Sequence, residues 1–262
     1  PGADVMVSVR ADAAVAMVVD PSTIRFAADE SVTDYHAPLG SAGSTLLAET
    51  LADHGDRTFE LDSLTQEELD AIVPELETVG ATFDSEHHAT TGVLFLPDTF
   101  DDWLMSIGKK ERHETRRKRR KLEAEYGPWE VQTRGLDGIH AFCSLHRTAA
   151  GRKGDFMSDE MEAYFADLVA NAGAVIHDLA VEDGTLASAF GWELDDGYYF
   201  YNSAFDATAS HTSPGTVLLS ALIERQIDRG AVVFDFLKGA ETYKYRHGAE
   251  ARPLFRITGR FA

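Results

Sequence analysis

The chain has 262 residues, of which 44% are hydrophobic, and a formal net charge of −20. This length and composition predict a folded, soluble protein with one large core or two modest ones. No apolar run approaches the roughly 18 residues of a membrane helix, and the N-terminus lacks the layout of a signal peptide. The single cysteine, Cys143, cannot form an internal disulfide, so we expect a packed, inert thiol in a cytoplasmic protein.

Charge is distributed unevenly along the chain. Up to Gly108 there are 3 basic against 21 acidic residues, whereas the remainder is nearly balanced. The only dense cationic run, KKERHETRRKRRK, covers residues 109–121. Basic helices neutralise phosphates, so nucleic acid is one possible partner. The acidic first part would repel a polyanion, and no aromatic residues interleave with the arginines. We therefore favour a helix that docks as a counter-charge against the acidic first part, or one that is solvated.

Capping residues and hydrophobic periodicity predict the elements before the middle of the chain. Thr65 precedes Glu68 by three residues and Thr99 precedes Asp102 by three, and both pairs resemble helix starts. The predicted elements are a strand at 5–10, a helix at 44–54, a helix after Thr65 that Pro74 ends or bends, a helix after Thr99 that passes Gly108 and continues to Leu122, a strand at 129–133, and helices at 138–150 and 158–172.

The region 174–205 predicts a three-stranded antiparallel meander, because strand-like sequence flanks Asp183-Gly184 and Asp196-Gly197. A helix follows, with Ser213 as N-cap, Pro214 at the first position and Gly230 just past the end. A buried strand at 231–237 and a last strand at 252–261 complete the chain. Since the strand at 231–237 follows a helical crossover, it can lie parallel to a meander strand.

The order of meander, helix and strand resembles a GNAT acyltransferase. The most specific motifs are Ser213-Pro214-Gly215 and Gly239-x-Glu241-x-Tyr243-Lys244, and the stretch SVTDYHAPLG adds to them. In these residues the chain resembles the acetyltransferase domain of the FemAB-like branch that includes the CelD/BcsL proteins. The resemblance implies an α/β (α+β) fold, a mixed sheet flanked by helices, and two lobes. The first, abbreviated GNAT-like lobe would span 1–97 and the acyltransferase domain 98–262.

The donor site departs from most GNAT enzymes, because the chain lacks a Gly-rich R/Q-x-x-G-x-G/A loop. The helix that begins at Ser213 offers free N–H groups and a positive dipole end to a phosphate. Gly215 would let a ligand approach the backbone, and Thr216 adds a hydroxyl; the alternative is simply a well-formed helix start. The resemblance implies acetyl-CoA or another acyl-CoA as donor. The FemAB branch also contains enzymes that use aminoacyl-tRNA, so the donor stays open.

The stretch FDFLKGAETYKYRHG, residues 234–248, carries the predicted catalytic groups. Acyl transfer to an amine needs a group that stabilises the oxyanion and a route for the proton. Lys244 can supply the positive charge. Tyr243 can donate to the leaving thiolate, a role that GNAT enzymes often give to tyrosine. Glu241 can orient Lys244 or accept the amine proton; the alternative for all three is a solvated charged loop.

Asp235 interrupts the apolar strand in the same stretch. Its carboxylate is expected to be paired inside the core, with Arg246 or Lys238, or to act as a general base at the strand's end. Asp34, Tyr35 and His146 are expected to line the substrate cleft, although a hydrogen-bonded helix histidine is the alternative for His146.

Residues 84–88, DSEHH, have metal-binding residue types but lack the i, i+4 spacing of a zinc pair. We expect a polar surface loop there and no metal.

The predicted function is N-acylation of a small amine from acyl-CoA at a cleft by the C-terminal sheet. Acidic surfaces would favour a cationic acceptor, or they reflect a salt-rich cell. Two alternatives remain: an aminoacyl-tRNA-dependent, FemX-like transferase, for which the basic helix would contact tRNA, and a non-catalytic binding protein on the same scaffold.

Overall fold

A computed structural model describes residues 4–149 and 152–261. The chain divides into two compact units. The first contains the described residues up to Thr91 together with Lys238–Ala240 and 251–261, and the second contains Gly92–Leu237 and Glu241–Glu250. The expected boundary near residue 97, with an abbreviated GNAT-like lobe before it, remains a prediction.

The described residues form eleven strands and nine α-helices. The strands are β1 (Asp4–Arg10), β2 (Ala13–Val19), β3 (Thr23–Phe26), β4 (Thr58–Leu64), β5 (Thr82–Phe95), β6 (Glu130–Arg134), β7 (Val175–Val181), β8 (Gly184–Glu193), β9 (Gly197–Phe205), β10 (Val233–Lys238) and β11 (Glu250–Arg260). The helices are α1 (Gly43–Ala52), α2 (Gln66–Thr78), α3 (Phe100–Ser106), α4 (Lys109–Tyr126), α5 (Ile139–Arg147), α6 (Arg152–Phe156), α7 (Asp159–Asn171), α8 (Pro214–Asp228) and α9 (Thr242–Arg246).

The first unit contains sheet order β1-β2-β3-β4-β11, in which β3 and β4 are parallel and the other pairs antiparallel. Helices α1 and α2 pack together and cover the buried face of this sheet. Its core side chains have almost no solvent exposure, which provides the hydrophobic stabilisation of the unit. They include Met17, Leu47, Leu51, Phe59, Leu61 and Ile257.

The second unit contains sheet order β10-β9-β8-β7-β6. The predicted meander is confirmed, since β7, β8 and β9 pair antiparallel. The crossover through α8 is also confirmed, because β10 runs parallel to β9. Helix α8 ends as predicted, with Gly230 just past its end at φ +77°, a conformation that favours glycine.

The β9–β10 pairing is short. It runs only from Val233–Gly197 to Asp235–Tyr199. Beyond Tyr199, β9 continues to pair with β8 as far as the Ala187–Phe205 pair. Among the described residues, β10 forms no further pair with this part of β9. The two parallel strands therefore separate after Tyr199, the third of the nine residues of β9, and the candidate site lies beyond that point.

Some predicted elements are corrected. The helix after Thr99 does not pass Gly108: α3 ends at Ser106, Ile107 is extended, and Gly108 is the N-cap of α4. Pro74 lies inside α2 and does not end it, and the Thr78 hydroxyl donates to the Pro74 carbonyl at 2.8 Å.

Residues 84–88 form part of β5 and not a loop. Strands β2, β3, β4 and β5 were not predicted. Within the described chain, no helix combines the length and apolar character needed to span a membrane.

Candidate functional site

A cavity of about 310 Å³ lies in the second unit where β9 and β10 have separated. Its walls come from the free end of β9, from the start of α8 and from α9. The lining combines aromatic rings with hydroxyl groups, a composition typical of small-molecule sites. The lining residues are Phe200, Ser203, Phe205, Ser210, Ser213, Gly215, Thr216, Leu219, Tyr243 and His247.

The start of α8 forms one wall of this cavity. Ser213 is the N-cap, as predicted, but it has φ +59° and its side chain makes no capping hydrogen bond. A positive φ is unfavourable for a residue with a Cβ atom, and such strain is found at functional sites. A Cβ atom on Gly215 would lie 3.3 Å from the Phe205 ring, so the lack of a side chain leaves room there. The structure thus brings Ser213, Gly215 and Thr216 together with Tyr243.

A second cavity, of about 260 Å³, adjoins the first and shares Thr216, Tyr243 and His247 with it. Its character is different, because three cations and two carboxylates line it, which leaves a net positive charge. The other lining residues are Lys110, Glu111, Glu114, Thr115, Lys118 and Arg246. The two cavities together form a compartment with a partly apolar end and a cationic end.

Lys118 connects the basic helix to the start of α8. Its Nζ donates to Thr216 Oγ1 at 3.3 Å. Burial lowers the pKa of Lys118; the Glu114 carboxylate opposes this, and the Arg117 and Arg246 guanidinium groups add to the lowering. Two cations that repel each other beside helical N–H groups form a site that an anion would stabilise.

The basic run is docked on a helix of its own unit. Arg119 donates to Ser220 Oγ at 3.0 Å and forms an ion pair with Glu224 at 2.6 Å. Lys121 Nζ donates to the His211 carbonyl at 2.7 Å. Within the second unit, α4 thus packs against α8 and the turn before it, so it is not a wholly solvated helix; docking against the acidic first part remains a prediction.

Tyr243 and His247 lie one helical turn apart and both line the two cavities. His247 Nδ1 donates to the Tyr243 carbonyl at 2.7 Å, so its Nε2 is the nitrogen that can accept a proton. Burial lowers the pKa of His247, which keeps the ring neutral near pH 7. Burial raises the pKa of Tyr243, as does the Glu241 carboxylate, so its hydroxyl keeps its proton.

Trp103 fixes the position of His247. The two rings are stacked with centroids 6.3 Å apart, and Trp103 Nε1 donates to the His247 carbonyl at 2.9 Å. Sequence reasoning did not identify His247 as a site residue. The signal that was available is its i, i+4 spacing from Tyr243.

Lys244 lies next to Tyr243 in sequence but is not among the described residues that line either cavity. Its side chain is 2% exposed. The ammonium donates to the Leu237 carbonyl at 2.9 Å and pairs with Glu241 at 3.0 Å. These contacts link α9 to the end of β10, while the catalytic roles predicted for Lys244 and Glu241 remain untested.

Asp235 is buried at the point where β10 leaves β9. Its Oδ1 accepts a hydrogen bond from the Leu237 N–H at 2.7 Å, and Leu237 has φ +60°. This bond holds an unfavourable backbone conformation and withholds the Leu237 N–H from other acceptors. Asp235 therefore shapes the strand end.

The predicted substrate-binding residues lie in both units. In the first unit, Asp34 Oδ1 accepts from the Lys238 N–H at 2.8 Å, and Tyr35 lines a cavity of about 220 Å³ with Glu67 and Arg252 among its neighbours. In the second unit, His146 is buried in α5, with its ring 4.8 Å from that of Phe142. The substrate-binding role predicted for these three residues remains a prediction.

The histidine pair of β5 also differs from the predicted surface loop. The His88 side chain is 11% exposed, and one ligand atom each from Glu30, Asp62 and His88 lies within 4.8 Å of the others. Arg256 already pairs with Glu30 at 2.8 Å and supplies positive charge there. Burial lowers the pKa of His88.

Cys143 is fully buried, as predicted, and burial raises the pKa of its thiol to about 11. The thiol is therefore protonated near neutral pH, and because the thiolate is the reactive form, it is chemically inert.

A family model described as an acetyltransferase (GNAT) domain matches residues 109–245, more than half of the chain. No curated protein sequence matches significantly. The matched segment contains α4, the meander, α8, β10 and most of α9, which are the elements that build the two cavities.

Solved structures with the same fold cover nearly the whole chain. A conserved protein of unknown function from Bacteroides thetaiotaomicron VPI-5482 has a TM-score of 0.66 at 14% identity, covering 98% of this chain and 86% of its own. L-PGS from Bacillus licheniformis has a TM-score of 0.66 at 12% identity, with 95% and 81% covered. FemX has a TM-score of 0.65 at 11% identity, with 97% and 87% covered. At these identities the likeness shows the fold alone, and the family match over residues 109–245 establishes that this chain belongs to the GNAT acetyltransferase family.

Proposed function

We propose that the protein is an N-acyltransferase that moves an acyl group from acyl-CoA to an amine. The observation that carries this proposal is the separation of β9 from β10, which opens a cavity lined by the start of α8 and by Tyr243. A thioester can lie there without displacing any strand pairing. The cationic second cavity supports a phosphate-bearing donor, because Lys118 and Arg246 line it beside the start of α8.

The proposed chemistry uses Tyr243 and His247. The amine nitrogen attacks the thioester carbonyl, so that a C–N bond forms and the C–S bond breaks. His247 Nε2 accepts the proton that the amine loses. The Tyr243 hydroxyl donates a hydrogen bond to the leaving sulfur as negative charge develops on it. The raised pKa of Tyr243 and the lowered pKa of His247 match these roles.

The donor class can be tested by thermal unfolding in the presence of acetyl-CoA, longer acyl-CoAs and tRNA. A ligand that binds the native state raises Tm, so we expect a rise with a thioester donor. Turnover is then measured as free thiol released, and the buried Cys143 adds no background signal. If only tRNA raised Tm, the donor would be an aminoacyl-tRNA and not acyl-CoA. If none of these ligands raised Tm, the result would favour a binding protein without this activity.

The aminoacyl-tRNA alternative has one specific observation in its favour. The docked helix α4 places Lys110 and Lys118 in the lining of the second cavity, where the phosphates of a nucleic-acid end would also be attracted. Binding of tRNA would then fall steeply with salt concentration, whereas acyl-CoA makes fewer phosphate contacts and should show a shallower dependence.

Replacing Lys118 by glutamine should weaken donor binding about tenfold or more, because one charge-assisted hydrogen bond to phosphate is lost. Isothermal titration with a non-hydrolysable acyl-CoA analogue measures this effect. Arg120→Gln is the matched control, since Arg120 is exposed, lies in the same helix and is not among the described lining residues. Equal affinities for the two variants would contradict the proposed phosphate position.

Activity should fall as the pH decreases below the ordinary His pKa of 6.5, because protonated His247 cannot accept the amine proton. Its folded pKa is lowered, so the unfolded state binds more protons in this range, and stability should also decline on acidification. A kcat/KM profile from pH 5 to 8 measures the acidic limb. A His247→Gln variant should have a low kcat/KM that no longer falls at acidic pH. If the variant kept the acidic limb unchanged, His247 would not be the group that accepts the amine proton.

A further inference from the structure

Among the residues that the structure describes, strand β1 lies at the edge of its sheet and pairs with β2 alone. Its alternate residues Val5, Val7 and Val9 are 68%, 62% and 70% exposed. These values are high for three valines on a single face. An edge strand also presents unpaired N–H and C=O groups, and proteins usually protect such edges with charge or proline. β1 has neither in its middle.

The exposed valines continue into a wider apolar face. Across the β1–β2 pairing, Val5 faces Val18, Val7 faces Ala16 and Val9 faces Ala14. Ala14 in turn bridges to Leu39, which is 66% exposed. This surface, the β1 face, is therefore made of Val5, Val7, Val9, Ala14, Ala16, Val18 and Leu39.

The β1 face bears no ionisable side chain, although the chain has a net charge of −20. The opposite side of the hairpin supplies Ala13, Val15 and Met17 to the core, so the strands do not need a second apolar face for folding. An exposed apolar face of this kind typically marks an interaction site.

We propose that β1 pairs with β1 of a second copy of this chain, antiparallel and centred on Val7. In this register Val7 faces the partner copy's identical residue, Val5 faces position 9, and Asp4 faces position 10, which is Arg10. Each strand thus offers an acid where the other offers a base, at both ends of the pair. Such an isologous contact closes on itself and extends one sheet into the other.

Charge complementarity is what selects a second copy over another partner. Two molecules with a charge of −20 repel each other, so a stable self-contact must lie where the surface lacks acid or compensates for it. In the single chain, Arg10 forms an ion pair with Glu49, and both side chains are well exposed. This ion pair is therefore weak, and Arg10 can leave it to pair with Asp4 of a second copy. The seven-residue strand from Asp4 to Arg10 is self-complementary in charge and in apolar character.

Disulfide trapping tests the register. In a Val7→Cys variant the two introduced thiols lie directly opposite each other, about 4.5–5.5 Å between Cα atoms, which a disulfide can bridge. In the matched Val5→Cys control the two thiols are four residues out of register, about 13 Å apart. Under mild oxidation we expect a covalent dimer from Val7→Cys and essentially none from Val5→Cys, with Cys143 buried in both. Equal yields would overturn the proposed register.

Sedimentation velocity of the full chain tests the dimer itself. The unmodified protein should be dimeric at micromolar concentration, and Val7→Lys, a change at an exposed position that leaves folding intact, should be monomeric. Asp4→Arg alone should weaken the dimer, and Asp4→Arg with Arg10→Asp should restore it. A monomer at every concentration, or a dimer that Val7→Lys leaves unchanged, overturns the proposal.

Discussion

Replacing Tyr243 by phenylalanine is expected to lower kcat roughly 10²–10³-fold, the usual loss when one donor to developing charge is removed. The ring stays in place against Phe236, 6.0 Å away between centroids, so the cavity keeps its shape. Only the hydroxyl is lost, and donor affinity should therefore change little. Steady-state and single-turnover rates separate the two quantities.

Tyr245→Phe provides the control for this measurement. Tyr245 belongs to the same short helix, α9, but is not among the described residues that line either cavity. Its variant should retain full turnover. If Tyr243→Phe kept the unmodified rate, the leaving thiolate would need another donor, and the proposed chemistry would fail even if acyl-CoA still bound.

Replacing Lys244 by methionine is expected to reduce the free energy of unfolding by about 1.5–3 kcal/mol, the range for a lost hydrogen bond to a charged group. Methionine keeps most of the buried aliphatic stem but removes the ammonium, which leaves the Leu237 carbonyl without that donor. Urea denaturation followed by fluorescence measures the change, at a pH where the protein is most stable.

Glu241→Gln isolates the contribution of the ion pair. The Glu241 side chain is more than half exposed, so its pairing with Lys244 is screened by water and should contribute little. We therefore expect Lys244→Met to be much more destabilising than Glu241→Gln. A Lys244→Met variant with normal stability and no turnover would instead support the oxyanion role predicted from the sequence.

The second unit was largely predictable because its signals are local. Two Asp-Gly turns defined the meander, and Pro214 and Gly230 marked the two ends of α8. Strand β5, one of the four strands that were not predicted, was missed for an equally local reason. The first half of β5, TFDSEHH, is polar and mostly exposed, so neither composition nor alternation distinguishes it from a loop.

The candidate site was predictable only in part. Ser213, Gly215 and Thr216 are consecutive or nearly so at a helix start, and their convergence on one cavity follows from the chain itself. The direction of each side chain in the short helix α9 does not. Lys244 and Tyr243 are neighbours in sequence, yet one turns into the core and the other into a cavity. His247 was not identified, because the sequence does not show that its ring lines the same cavity as Tyr243.

The hydrogen bond that the Leu237 N–H donates to the Asp235 carboxylate has a consequence for the kinetics of donor binding. Because the Leu237 N–H already donates to Asp235, β9 and β10 are separated in the unliganded protein as well. A thioester that binds here does not have to break any hydrogen bonds between β9 and β10. The conformational entropy of separating these strands is therefore already lost when the protein folds, and not when the donor binds. Entry should accordingly proceed in one step, with a rate proportional to donor concentration and no plateau from a slow opening event.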